Sequence, residues 1–290
     1  MKHQIKKPTC VLAGGDLRQA YLANLLTEDM DVSVTAMGED PSLFSPHVAV
    51  NSIPASHPDV LVLPMPVSNG SMLNAPLQKE PVPLAEILPL AGPNTLVFGG
   101  KVSAELEHSL SPCRVYDYLE REELAVLNAA VTAEGTLQLL LSELPVTILG
   151  LNVLIVGSGR ISRALRTRLS ALGAKVTVSA RKHADLAWVE AEGCRPLPVA
   201  SLSEEIGQFD AVINTVPAKL FDEPLLRKLS KHALLIDLAS KPGGVDFEEA
   251  NRLGIKTIWA LSLPGKTAPI TSGEIICQTI RNIMKEEQHE

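Results

Sequence analysis

Residues 153–182 read VLIVGSGRISRALRTRLSALGAKVTVSARK. An apolar run passes through Gly157-Ser158-Gly159 into a helical pattern and returns to a second β-rich run. This arrangement can hold a phosphate. The first glycine permits the tight turn. The second lets the backbone approach a pyrophosphate, which then rests on the free N–H groups of the following helix. Gly157, Ser158, Gly159, Arg160 and Ile161 are therefore candidate contacts to a dinucleotide. The third position of the G-x-G-x-x-G pattern is Ser162, small enough for helix–strand packing. The competing reading is a glycine turn that has lost its ligand. The second run ends at Ser179, twenty residues past Gly159. An NAD site keeps Asp or Glu near this point for the ribose 2′-hydroxyl. Here Ser179, Arg181 and Lys182 could instead bind a 2′-phosphate through charge-assisted hydrogen bonds. The pattern favours NADP, with NAD second, and a solvated basic loop is the alternative.

Other strand ends carry further candidates. In a doubly wound sheet, ligands bind outside the carboxyl ends of the strands. VINTVP places Asn214, Thr215, Val216 and Pro217 there, although Asn and Pro also simply end strands. DLASKPGG adds Ala239 and Lys241, the latter a partner for a substrate carboxylate or a solvated lysine. LSLPGKTAP, after the last strand, would bring Pro264, Gly265 and Lys266 near a nicotinamide ring. Nearer the N-terminus, GGDLRQ repeats the strand–loop–helix geometry with Asp16 in the phosphate position. It suits a small anion or substrate better than a second dinucleotide. Arg18 is the carboxylate candidate there, or else a salt-bridge partner of Asp16 or Glu28. Ser68 lies in the Pro/Ser/Asn/Gly-rich stretch 64–93, the kind of long loop that covers a site. The seven histidines are His3, His47, His57, His108, His183, His232 and His289, and none is expected at a strand end of the second half. A hydroxyl proton is usually taken by His with a carboxylate partner, so a reaction with small acid–base demands fits better.

These residues need two α/β domains to position them. The chain has 290 residues, enough for two at about 150 residues each. Short β-rich runs alternate with helical stretches twice, the pattern of parallel α/β sheets. The expected organisation is an N-terminal domain over 1–130, a linking helix within 131–150 capped by Thr132, and a dinucleotide-binding domain over 151–271. A C-terminal helix over 272–287 carries an isoleucine stripe suited to packing back on the first domain. A net charge of −7 and 3% aromatics argue against nucleic acid. Cys10, Cys113, Cys194 and Cys277 form no disulfide or zinc pattern, and no metal is expected. No signal peptide is read at the N-terminus, and no apolar run is read as crossing a membrane.

Taken together, GGDLRQ, VTAEGT, VLIVGSGRIS, LGAKVTVSAR, VINTVP, LLIDLASKPGGVDF and LPGKTAPITSGEII resemble, in order and spacing, the family of dipicolinate synthase A subunits. The chain departs from the family pattern at Ser162 and at Val131, where the family tends to have Pro. The resemblance implies a flavodoxin-like first domain, a Rossmann second domain and, as partner, a flavoprotein-like B subunit. It implies NADP-dependent oxidation of a dihydrodipicolinate-type intermediate to dipicolinate during sporulation, in the mother-cell cytoplasm. On that reading Arg18, Asp16, Ser68, Thr132, Thr136 and Lys241 would hold the dicarboxylate. Glu134 and Lys241 would be the catalytic candidates, with a solvated first-turn glutamate favoured by the helix dipole as the equal alternative for Glu134. A homodimer is expected by analogy with this architecture. Two other readings stay open: an NAD(P) dehydrogenase of a small amino or hydroxy acid, and a nucleotide-binding regulatory subunit whose redox chemistry sits on a flavoprotein partner.

Overall fold

Eight strands come from the first part of the chain: β1 (Thr9–Ala13), β2 (Asp31–Thr35), β3 (Val48–Val50), β4 (Val60–Val62), β5 (Ser68–Asn69), β6 (Met72–Leu73), β7 (Leu96–Gly99) and β8 (Arg114–Asp117). Six more follow: β9 (Asn152–Val156), β10 (Lys175–Ala180), β11 (Arg195–Pro198), β12 (Ala211–Asn214), β13 (Leu234–Asp237) and β14 (Lys256–Trp259). This computed structural model describes residues 7–287, so His3 and His289 lie outside the described residues. Two compact units result. The first takes the described residues up to Asn128 together with those from Ala268 onward, and the second is Ala129–Thr267.

Each unit is built on a six-stranded parallel sheet with helices. The first runs β3-β2-β1-β4-β7-β8 and the second β11-β10-β9-β12-β13-β14. Without the three-residue edge strand β3, the first reads 2-1-3-4-5, the flavodoxin order; with it, both share the 3-2-1-4-5-6 order of dinucleotide-binding sheets. The central strands are apolar throughout because helices cover both faces. In β9, for example, Val153, Leu154, Ile155 and Val156 are all buried. The sequence reading missed β3, β8 and β11, all three or four residues long. All three are edge strands, and β11 holds two prolines, which only an edge tolerates readily.

In the first unit the C-terminal helix Pro269–Glu287 packs against the helix Leu17–Leu26. It starts at a proline three residues earlier than the sequence pattern suggested. Ile276, Cys277, Ile280 and Ile283 join Leu22 and Leu26 in one core. A Cβ at Gly273 would lie 2.9 Å from the Arg18 carbonyl oxygen, so glycine is what lets the helices approach.

The linking helix differs from expectation. It runs unbroken from Glu122 to Glu143, so Thr132 stands mid-helix and caps nothing. By length and composition alone this helix could cross a membrane, although Glu134 and Gly135 interrupt its apolar run. Its Ala133 and Leu140 nevertheless lie in the hydrophobic core of the second unit. A Cβ at Gly135 would meet Leu263 Cγ at 2.7 Å, so Gly135 serves close packing against the short helix Leu263–Thr267.

Candidate functional site

The turn after β9 is shaped as its glycines require. Gly157 has φ +105°, and its N–H donates to the Ser179 carbonyl at 2.9 Å. An added Cβ there would sit 2.3 Å from Thr215 Oγ1. Gly159 differs. It caps the helix Arg160–Ala171 with no side chain, and an added Cβ would meet no protein atom within 4 Å. Packing therefore does not demand glycine at this position, whereas close approach of a ligand to the helix N-terminus would. Ser162 is fully buried at the third position, and its hydroxyl has no hydrogen-bond partner among the described residues.

Gly157, Ser158, Ser179, Arg181, Lys182 and Val216 line one cleft of about 290 Å3. Ser179 is fully buried and its hydroxyl is unpartnered among the described residues, while Arg181 and Lys182 are exposed. Two charged residues that the sequence reading missed also line the cleft. Asp185 sits in the first turn of the helix His183–Ala191, and Lys219 is paired with Asp246 at 2.8 Å. An acid shortly past the second strand was the available signal for Asp185. His183 opens that same helix, so one histidine does stand at a strand end of the second unit, contrary to expectation.

Below the cleft, a buried polar clamp fixes the strand ends. Asn214 and Asp237 are both fully buried. Asn214 Nδ2 donates to Asp237 Oδ1 at 2.8 Å and to the Val216 carbonyl at 3.0 Å, while Asn214 Oδ1 accepts from the Val216 N–H. Asp237 also accepts from the N–H groups of Ala239 and Gly244. Several expected cofactor contacts are therefore committed elsewhere. The Asn214 amide holds the turn. Thr215 directs both its hydroxyl and its N–H to the Val156 carbonyl. The Ala239 carbonyl accepts from Trp259 Nε1. Pro264 and Gly265 are buried in the Leu263–Thr267 helix. Arg160 and Ile161 open the Arg160–Ala171 helix, and Pro217 is exposed.

Two substrate expectations from the linking helix also change. Thr136 is fully buried and its hydroxyl donates to the Thr132 carbonyl at 2.8 Å. Glu134 points the other way. Its side chain is 68% exposed and pairs with Arg168 at 3.0 Å. Lys241 is exposed on the loop after β13.

In the first unit, GGDLRQ forms a tight crevice with Met65 and Asn74. Gly14 and Gly15 have φ +70° and +103°. A Cβ at Gly15 would lie 2.1 Å from Gln19 Cγ. Asp16 caps the helix Leu17–Leu26 by accepting from the Arg18 N–H at 3.0 Å. It also takes Arg18 side-on, Nε to Oδ1 at 2.9 Å and Nη2 to Oδ2 at 2.8 Å, a bidentate pair. Ser68 belongs to the β5–β6 hairpin and does not line the crevice. Tyr118 is buried, which pushes its phenol pKa up, and its hydroxyl donates to the Leu63 carbonyl at 3.0 Å.

Known proteins share this organisation. Residues 9–118 match the model of the N-terminal domain of the dipicolinate synthase A subunit, and residues 129–245 match the NAD-binding domain of D-isomer-specific 2-hydroxyacid dehydrogenases. The chain is 32% identical over 284 residues to the dipicolinate synthase A subunit of Bacillus subtilis strain 168, covering 96% of both chains. The crystal structure of the dipicolinate synthase A subunit from Bacillus halodurans superposes with a TM-score of 0.86 at 29% identity, over 96% of this chain and 98% of that one. The crystal structure of the Bacillus subtilis protein gives a TM-score of 0.85 at 29% identity, over 100% of this chain and 99% of that one.

Proposed function

Because the chain belongs to the family of dipicolinate synthase A subunits, we propose that it oxidises a dihydrodipicolinate-type intermediate to dipicolinate with NADP. It would do so together with a B subunit, as a homodimer in the mother-cell cytoplasm of a sporulating cell. The matched NAD-binding domain supports a nicotinamide cofactor and an oxidoreductase. The observation that carries the reading is Gly159. It begins the helix with no capping side chain of its own, next to Gly157 and Ser158, which line a cleft with the unpartnered Ser179 hydroxyl. These residues fit a dinucleotide. Gly157 and Gly159 would admit the pyrophosphate, and Ser179, Arg181 and Lys182 would hold a 2′-phosphate. The bound nicotinamide would supply the hydride acceptor.

The demands on the chain's own groups are then modest. Converting a dihydropyridine-type ring to a pyridine gains aromaticity, so positioning matters more than a strong base. That agrees with the outward-facing Glu134. Arg18 would hold a substrate carboxylate. Asp185 favours NAD instead, since a cleft carboxylate suits a ribose 2′-hydroxyl.

Titration of the purified chain with NADPH and NADH, followed by nicotinamide fluorescence, tests the reading. Tighter binding of NADPH, weakened by roughly 1–3 kcal/mol in Arg181→Ala, is the expected result. Preference for NADH, lost in Asp185→Asn, would assign NAD. Absence of binding by either nucleotide would move the redox step to the partner protein.

A further inference from the structure

The crevice of the first unit is lined by a side chain with a buried acceptor that no described residue satisfies. Gln19 is only 3% exposed and lines the crevice beside Arg18. Its Nε2 donates to the Leu63 carbonyl at 3.0 Å, the same oxygen that accepts from the Tyr118 hydroxyl. That carbonyl fixes the amide's orientation, because an amide oxygen turned toward it would be repelled. The other end, Oε1, is buried without a hydrogen-bond partner among the described residues. A buried acceptor left unmade is costly unless something donates to it. The nearby Asn74 amide is engaged, its Nδ2 donating to the Pro66 carbonyl at 3.0 Å. Arg18 is complementary. Asp16 grips its Nε edge, Nη2 also reaches the Met65 carbonyl at 3.4 Å, and the Nη1 end makes no hydrogen bond among the described residues.

We infer that Arg18 and Gln19 together recognise a carboxylate on the carbon next to a ring N–H, with Arg18 Nη1 donating to the carboxylate and Gln19 Oε1 accepting from the nitrogen. This rests on the dicarboxylate reading above and adds which form of the heterocycle is bound. Asp16 acts as a positioning residue that orients the fork without filling its free end. The pair also distinguishes substrate from product. Oxidation of an N–H dihydropyridine moves a hydride from ring carbon to the oxidised nicotinamide, and the nitrogen proton leaves to solvent. The product pyridine then presents a lone pair to Oε1, acceptor against acceptor, and its binding weakens.

The test compares two planar probes by calorimetry on the full chain. One is 4-oxo-1,4-dihydropyridine-2,6-dicarboxylate, whose ring nitrogen carries hydrogen. The other is dipicolinate, whose nitrogen does not. The native chain should bind the N–H probe about tenfold more tightly, the worth of one good hydrogen bond. Gln19→Met should erase that preference, and Arg18→Met should weaken both probes alike. NADPH titration of each variant reports whether the second unit is intact, and circular dichroism reports whether the whole chain folds. Equal binding of the probes by the native chain overturns the inference and leaves the dicarboxylate reading standing, even if Gln19→Met does not fold. A preference that survives in folded Gln19→Met also overturns it. Binding of neither probe by the native chain overturns both.

Discussion

The two glycine turns, Gly14-Gly15-Asp16 and Gly157-Ser158-Gly159, begin alike. Each follows the central strand of a 3-2-1-4-5-6 parallel sheet and opens into a helix, and each starts on a glycine with positive φ. They differ in the carboxylate that supports each turn. In the first unit Asp16 stands at the helix N-terminus itself, capping it and holding Arg18. In the second, Asp237 lies at the end of β13 and braces the turn through Asn214, and the N-cap residue is Gly159, which has no side chain to cap with. One frame thus yields a self-filled anion position and an open one. The topology does not decide which; a few side chains do.

The contrast can be broken from the second unit first. Asp237→Ala would leave the Asn214 amide and the Ala239 and Gly244 N–H groups without their buried acceptor. A loss of about 3 kcal/mol in denaturant unfolding is expected, together with weaker nucleotide binding. A loss under about 0.5 kcal/mol would mean that the clamp does not brace the turn. Gly15→Ala comes next. The new methyl would meet Gln19 Cγ at 2.1 Å on a backbone at φ +103°. We expect a cost of about 2 kcal/mol in thermal or denaturant unfolding. Gly159→Ala at the matching turn should change stability far less, because nothing in the protein stands in the way. Glu134→Gln should do least. Its exposed pair with Arg168 contributes about 0.5 kcal/mol or less, and turnover with the partner protein should be unchanged. A large loss of turnover would restore Glu134 to the chemistry.

What the sequence revealed follows the range of the interactions. The Gly157 turn is local, and a strand, two glycines and a helix are legible in a few residues. Central strands are also legible, since burial on both faces makes them continuously apolar. The short strands β3, β8 and β11 offer no such run. Glu134 misled because Thr132 was read as a helix cap, which would leave the segment before it irregular. In one continuous helix, residues two apart point to nearly opposite sides. Thr132 and Thr136 therefore share the buried face while Glu134 takes the exposed one. The role of Asn214 depends on Asp237, 23 residues further on, and no local pattern announces that pairing.

The most direct measurement is calorimetric titration of NADPH into the native chain, Gly159→Ala and Asp16→Asn. The account expects one site per chain, at least tenfold weaker in Gly159→Ala and unchanged in Asp16→Asn. Two sites per chain, or binding that falls in Asp16→Asn and survives in Gly159→Ala, would contradict it.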